Sequence, residues 1–165
     1  MTNHPFEPHI PRLRRYALAL LRDRTHADDL VQDTLERALR KFNLFHRGTD
    51  LRAWLFAVMH NVYVNQVRAS ASRRALAPEV ESDEPAQATV DDAATMRDLS
   101  NALAHLAPEQ REVVLLVGLE QLSYEETARV LDVPIGTVMS RLSRGRERLR
   151  ALMSGETASY LRRIK

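Results

Sequence analysis

The sequence predicts an all-α fold of two small helical domains joined by an acidic flexible linker, the C-terminal domain carrying a helix-turn-helix. Three observations lead there. Apolar residues recur at helical spacings along most of the chain and nowhere alternate as they would in a half-buried strand. Only five glycines occur in 165 residues, few for a fold built on tight-turned sheet. Residues 76–94, LAPEVESDEPAQATVDDAA, hold two prolines and scattered acids with no periodic apolar face, so they read as a tether. The division is 1–75 for the first domain, 76–95 for the linker and 96–165 for the second domain.

In the first domain a helix is expected from Pro11 to Leu21, with Leu13, Leu20 and Leu21 among its apolar positions. A second starts near Thr25, where Thr25 and Asp28 resemble a capping box, and runs to about Phe42. Its Leu30, Val31, Leu35, Ala38, Leu39 and Phe42 follow helical spacing. Gly48 and Thr49 break the chain, and Asp50 is placed to cap a third helix from Leu51 to about Ala69. Trp54, Leu55, Val58, Val62 and Val67 face inward there, which makes Trp54 a core residue before a stacking platform. Beyond the linker, Met96 to Leu106 forms one helix, and Pro108 opens another through Val117 that Gly118 ends.

The richest stretch is LSYEETARVLDVPIGTVMSRLSRGRERLR, residues 122–150. Ser123 and Glu126 have the spacing of a capping box, and Ala128, Val130 and Leu131 supply a short apolar face. Asp132-Val133-Pro134 interrupts it, because proline disfavours helical geometry in the preceding residue and suits a helix's first turn. Val138, Leu142 and Leu149 then mark one face of a second helix that Ser154-Gly155 ends, with Gly136 allowing the two helices to approach closely. Arg141, Arg144, Arg146, Arg148 and Arg150 occupy much of the remainder. A short helix across the foot of a basic one is a helix-turn-helix, whose second helix fits the DNA major groove. A solvated basic face, favoured by the helix dipole, is the plain alternative, but it requires neither the turn chemistry nor the cap.

Net charge is only +2, yet it is unevenly spread. Residues 1–75 carry 13 Lys/Arg against 7 Asp/Glu, residues 76–96 carry six acids and no base, and residues 97–165 carry 11 against 9. Two basic blocks flanking an acidic tether suggest two polyanion-binding modules. There is no run of eighteen apolar residues to insert in a membrane, and MTNHPFEPHIPRLRR lacks the apolar core of a signal peptide. The absence of cysteine excludes disulfides and thiolate metal sites and fits a reducing cytoplasm. His26-Ala27-Asp28-Asp29 superficially suggests a metal site, but no second histidine lies at ligand spacing. No cofactor, metal or small-molecule substrate is expected, and no enzymatic activity.

Taken together, these blocks resemble the bacterial extracytoplasmic-function sigma factors of the sigma-70 family, from about Leu13 to Leu152. DLVQDTLERAL at 29–39 resembles the family's core-polymerase-binding helix. LRAWLFAVMHNVYVNQVR at 51–68 resembles the helix that opens and reads the −10 promoter element. LAPEQREVVLLVGLEQLSYEETARVLDVPIGTVMSRLSRGRERLR resembles the −35-reading domain.

The resemblance implies partners and residues. Core RNA polymerase would be bound through its β′ clamp helices and β flap, with Asp29, Leu30, Gln32, Asp33 and Glu36 on the β′-facing helix. For the −10 element it implicates Arg52, His60, Asn61, Tyr63, Asn65, Gln66, Arg68, Arg73 and Arg74, a positive track with amide and ring groups for separated bases. Asn61 is the foremost base reader, and the loop Asn43–Asp50, with Phe45, His46 and Arg47, matches the family's specificity loop. Asn65 stands where members often carry Asp.

For the −35 element, Thr137, Met139, Ser140, Ser143 and Arg144 match DNA-facing positions, while Arg141, Arg146 and Arg148 suit phosphates or the packing edge. Met139 departs from the family's usual Lys or Arg. It can touch a thymine methyl but cannot form a bidentate bond to guanine. The function implied is that of an alternative sigma factor, stress-responsive and held by an anti-sigma factor, acting on promoter DNA in the cytoplasm and at the nucleoid. The rivals are a sigma-like decoy that sequesters an anti-sigma protein and a plain helix-turn-helix regulator, which would leave the first block unexplained.

Overall fold

The structure is a computed structural model that describes residues 4–74 and 93–154. Residues 76–92 of the acidic linker and the Gly155 boundary lie outside the described residues, as does the side chain of Arg74, while 93–95, expected in the linker, are helical. Among the described residues the regular structure is helical, with one isolated bridge between Arg47 and Thr49. Two compact units divide the chain. The first contains α1 (Ile10–Leu21), α2 (Arg24–Lys41) and α3 (Leu51–Arg74). The second contains α4 (Ala93–Ala104), α5 (Pro108–Val114) and α7 (Ile135–Met153). Between α5 and α7 in the chain lies α6 (Tyr124–Leu131), of which residues 124–128 group with the second unit.

In the first unit α1 packs on α2 and α2 on α3. Leu13, Tyr16, Ala17 and Leu20 of α1 are buried against Ala27, Leu30, Val31 and Ala38 of α2 and Leu55, Phe56, Met59 and Val62 of α3. Tyr16 meets Phe56 edge to face, ring centroids 5.2 Å apart. Thr34 is fully buried in this apolar layer, and its Oγ1 donates to the Leu30 carbonyl at 2.6 Å. The hydroxyl is thereby satisfied within its own helix.

Several expectations change in detail. Arg22 ends α1 in the left-handed region (φ 58°), and Asp23, not Thr25, caps α2. Asp23 has extended backbone, and its Oδ1 accepts from the amides of Thr25 (2.8 Å) and His26 (3.3 Å). Val67, expected inward, is exposed, as is Leu39, which follows the apolar spacing of α2, while Phe56 and Met59 help to fill the core. α3 carries apolar residues around much of its circumference at 54–59, so spacing alone does not choose its inner face. It also runs five residues beyond Ala69, since ASASRR contains no helix breaker.

In the second unit the central contact is α5 on α7. Gly145 makes it possible: a Cβ built there would lie 2.8 Å from Val114 Cγ2. Gly136, the glycine expected to permit close approach, faces open space. Arg111 ties α5 to the end of α4, its guanidinium donating to the carbonyls of Leu103 (2.8 Å), Ala104 (3.0 Å) and Leu106 (3.1 Å). Those are carbonyls a helix C-terminus leaves without intrahelical partners. Gly118 does not end its helix. α5 passes into a π turn over Leu115–Leu119, and the chain reverses at Gln121 (φ 57°).

Candidate nucleic-acid interface

Three surfaces carry the predicted site residues. On α2, Asp29, Gln32, Asp33 and Glu36 are exposed along one side. Leu30 is fully buried and belongs to the core of the unit rather than to that face. Asp33 Oδ2 accepts a 2.8 Å hydrogen bond from Gln66 Nε2 of α3, so the acidic side of α2 is tied to the neighbouring helix.

Asn61, Asn65 and Arg68 are exposed at spacings of four and three on α3, one stripe pointing away from the core. His60, Tyr63 and Gln66 are half-buried beside it, and Arg73 is exposed further along. At the helix start Asp50 accepts from the Arg52 amide through Oδ1 (3.0 Å), and its Oδ2 lies 3.6 Å from the Arg52 guanidinium. The cap predicted at Asp50 is present.

The loop before α3 is anchored at one end and open at the other. Phe42, Phe45 and Trp54 gather with His4 and Phe6 into a ring cluster. Phe45 lies parallel to Phe42 with centroids 5.9 Å apart, and Phe6 meets Phe42 edge-on at 5.1 Å. Phe6 is buried, while Trp54, Phe42 and Phe45 are half-buried. Phe45 is therefore engaged as an anchor. His46 and Arg47 are exposed at the tip, where Gly48 (φ 121°) and the bonds from Thr49 N and Oγ1 to the His46 carbonyl close a tight turn. The contribution of His4 and Phe6 was not legible from helical spacing, because both precede the first periodic segment.

The helix-turn-helix forms as its chemistry dictates. Ser123 Oγ accepts from the Glu126 amide (3.0 Å) and Glu126 Oε1 accepts from the Ser123 amide (3.1 Å), a reciprocal capping box. Asp132 adopts the left-handed region (φ 54°) and Pro134 precedes the first turn of α7. Val138, Leu142 and Gly145 are buried. Met139, Ser140, Ser143, Arg144, Arg146 and Arg148 are exposed, with Thr137 and Arg141 half-buried. Ile135 was not among the predicted site residues, yet it is 44% exposed at the helix start, and Met139 one turn on is 51% exposed. Its signal lay in the apolar spacing 135-138-142, which continues past the turn that packing covers.

Among the described residues no three His, Asp or Glu side chains gather as a metal site, and no helix is long and apolar enough to cross a membrane. His26 Nδ1 instead lies 2.7 Å from Asp23 Oδ2.

A three-helix unit followed by a basic helix-turn-helix unit defines a DNA-binding transcription protein of the sigma type. Residues 6–60 match the family profile described as the Sigma2 domain of PhyR, and residues 96–149 match Sigma-70, region 4. The chain is 34% identical to the ECF RNA polymerase sigma factor EcfG of Rhodopseudomonas palustris, over 87% of this chain and 80% of that one. It is 37% identical to the ECF RNA polymerase sigma factor SigE of Mycolicibacterium smegmatis, over 91% of this chain and 62% of that one. The solved structure of the sigma factor RpoE of Bartonella quintana, in complex with the anti-sigma factor NepR, superposes with a TM-score of 0.76 at 35% identity, covering 90% of this chain and 94% of that one. The chain belongs to the extracytoplasmic-function family of RNA polymerase sigma factors.

Proposed function

We propose that this sigma factor binds core RNA polymerase through α2, reads the −10 element with α3 and the 43–50 loop, and reads the −35 element with α7. The observation that carries the reading is α7 itself: its buried stripe of Val138, Leu142 and Gly145 leaves Ser140, Ser143, Arg144, Arg146 and Arg148 outward, and no acid occurs in it before Glu147. Helix-turn-helix proteins use that exposed side in the major groove, arginines serving guanines or phosphates according to position.

On α2, Asp29, Gln32, Asp33 and Glu36 offer acceptors to a basic partner such as the β′ clamp helices, and the β flap engages the second unit. Leu30 supports this face from beneath. On α3, Asn61 reads a −10 base, Asn65 and Arg68 extend the stripe, and Arg52, His60 and Arg73 line the strand's path. In the loop, His46 and Arg47 meet DNA while Phe45 holds the turn. Thr137 and Met139 flank the −35-reading side, and Arg141 steadies its edge. An anti-sigma protein restrains the factor until a stress arrives, as suggested by the RpoE relative's complex with NepR. The protein acts in the cytoplasm, joins the nucleoid within holoenzyme, and performs no catalysis of its own.

The test is in-vitro transcription from fragmented genomic DNA with core polymerase, with and without the full chain. New starts sharing −35 and −10 words are expected. Core binding without new starts would favour a decoy, and neither binding nor initiation would overturn the reading. In the same assay Arg144→Ala is expected to weaken −35-dependent output and Asn61→Ala to change −10 preference, with core binding unchanged.

A further inference from the structure

We propose that Ile135 and Met139 form an apolar reading pair that recognises the C5-methyl groups of thymines in the −35 element, so that the second unit discriminates by methyl contact beside its arginines. This rests on α7 being the −35-reading helix. The two residues are one turn apart, so their side chains share one side of the helix and lean toward its N-terminus. That is the end which helix-turn-helix proteins present to base edges. Both are large, apolar and about half exposed, at 44% and 51%. They sit beside the buried stripe of Val138 and Leu142, at the point where packing stops covering it.

Position and charge identify the occupant. Apart from the buried Leu142 and Gly145, the residues following the pair, Ser140, Arg141, Ser143, Arg144 and Arg146, are hydroxylic or cationic, and the first acid is Glu147. A surface facing a polyanion has that composition. Two side chains fall far short of the roughly 800 Å² per partner that a stable protein interface needs. In the major groove the thymine methyl is the only apolar feature, and apolar side chains are its natural contacts. Neither side chain donates a hydrogen bond and the Met139 thioether accepts only weakly, so the thymine methyl is the feature of an A·T pair that the two can read.

Deoxyuridine lacks only that methyl, which makes the test specific. A promoter is taken from the transcription experiment above, and each −35 thymine on either strand is replaced in turn by deoxyuridine. Holoenzyme binding to each duplex is then measured for the unaltered chain, Ile135→Ala and Met139→Ala. Both substitutions are at exposed positions, so folding is not at stake, and circular dichroism confirms it. The expected result is about four-fold weaker binding at two thymine positions, the worth of one buried methyl each. Met139→Ala abolishes the penalty at one position and Ile135→Ala at the other. Arg144→Ala should weaken binding while leaving both penalties in place. A −35 element without A·T pairs, no deoxyuridine penalty, or a penalty surviving in either alanine variant would overturn the pair and leave it to a protein partner. Failure to initiate at all would instead overturn the parent reading, which the preceding assay reports separately.

Discussion

Asp23 shows how much a single carboxylate decides at the residue scale. Bonds from His26, first through its side chain and then its backbone, together with the Thr25 amide, hold the Asp23 carboxyl below its ordinary value of 3.8. A depressed carboxyl contributes stability that is fully present above the unfolded value and is lost as pH falls through the folded one. Asp23→Ala should therefore lower the melting temperature at neutral pH, with the difference shrinking below pH 3.8 in a series of thermal melts. A difference that grew on acidification would contradict the assignment. Spacing made Thr25 look like the cap because Asp28 follows at the right interval. The actual cap lies two residues earlier, where the extended backbone of Asp23 aims its side chain at the open amides. Phe6 was equally hidden, since its burial comes from rings distant in sequence. Phe6→Ala should cost the first unit about 3–5 kcal/mol, measured by urea denaturation.

The recognition hairpin was the most legible of the elements. Its capping box, turn and apolar spacing are all encoded within neighbouring residues, and Ser123 with Glu126 bonds as the spacing required. Ser123→Ala should destabilise the second unit by about 1 kcal/mol, readable as a shift in denaturation midpoint without a change in slope. The glycines were less legible, because what a glycine permits is decided by what faces it. Gly136 faces nothing, whereas Gly145 faces Val114 and Gln110 of α5. Gly145→Val should cost about 1–3 kcal/mol through overpacking and should weaken −35 binding by tilting α7. In Gly145→Ala, the gain of up to about 1 kcal/mol in helix propensity opposes a 2.8 Å clash with a β-branched side chain, which leaves little net change. The end of α5 could not be read from Gly118, since a π turn arises from the local hydrogen-bond register and not from residue type.

Charge becomes informative at the scale of the whole molecule. The formal total of +2 conceals basic blocks on either side of the acidic stretch, and the arginines exposed along α7 meet the requirements of a duplex phosphate track. If four of them contact phosphates, the logarithm of the duplex binding constant should fall against the logarithm of salt with a slope of about −3.6. A titration of holoenzyme on a −35 duplex measures it, and a slope near zero would remove the helix as the electrostatic anchor. Among the described residues the helical class was legible throughout, because apolar spacing is a local property. Which acidic residues of α2 remain open to a partner was not legible, because the Asp33–Gln66 bond joins two helices thirty-three residues apart. The order of packing in the first unit carries a consequence for how the chain is made. α1 packs on α2 and α2 on α3, so helices consecutive in sequence are also neighbours in space. Such a low contact order favours folding in microseconds to milliseconds, far faster than a ribosome adds residues. The last core residue of the unit's three helices is Val62, and α7 does not begin until Ile135. During synthesis the three-helix core can thus form while the recognition helix has yet to be translated.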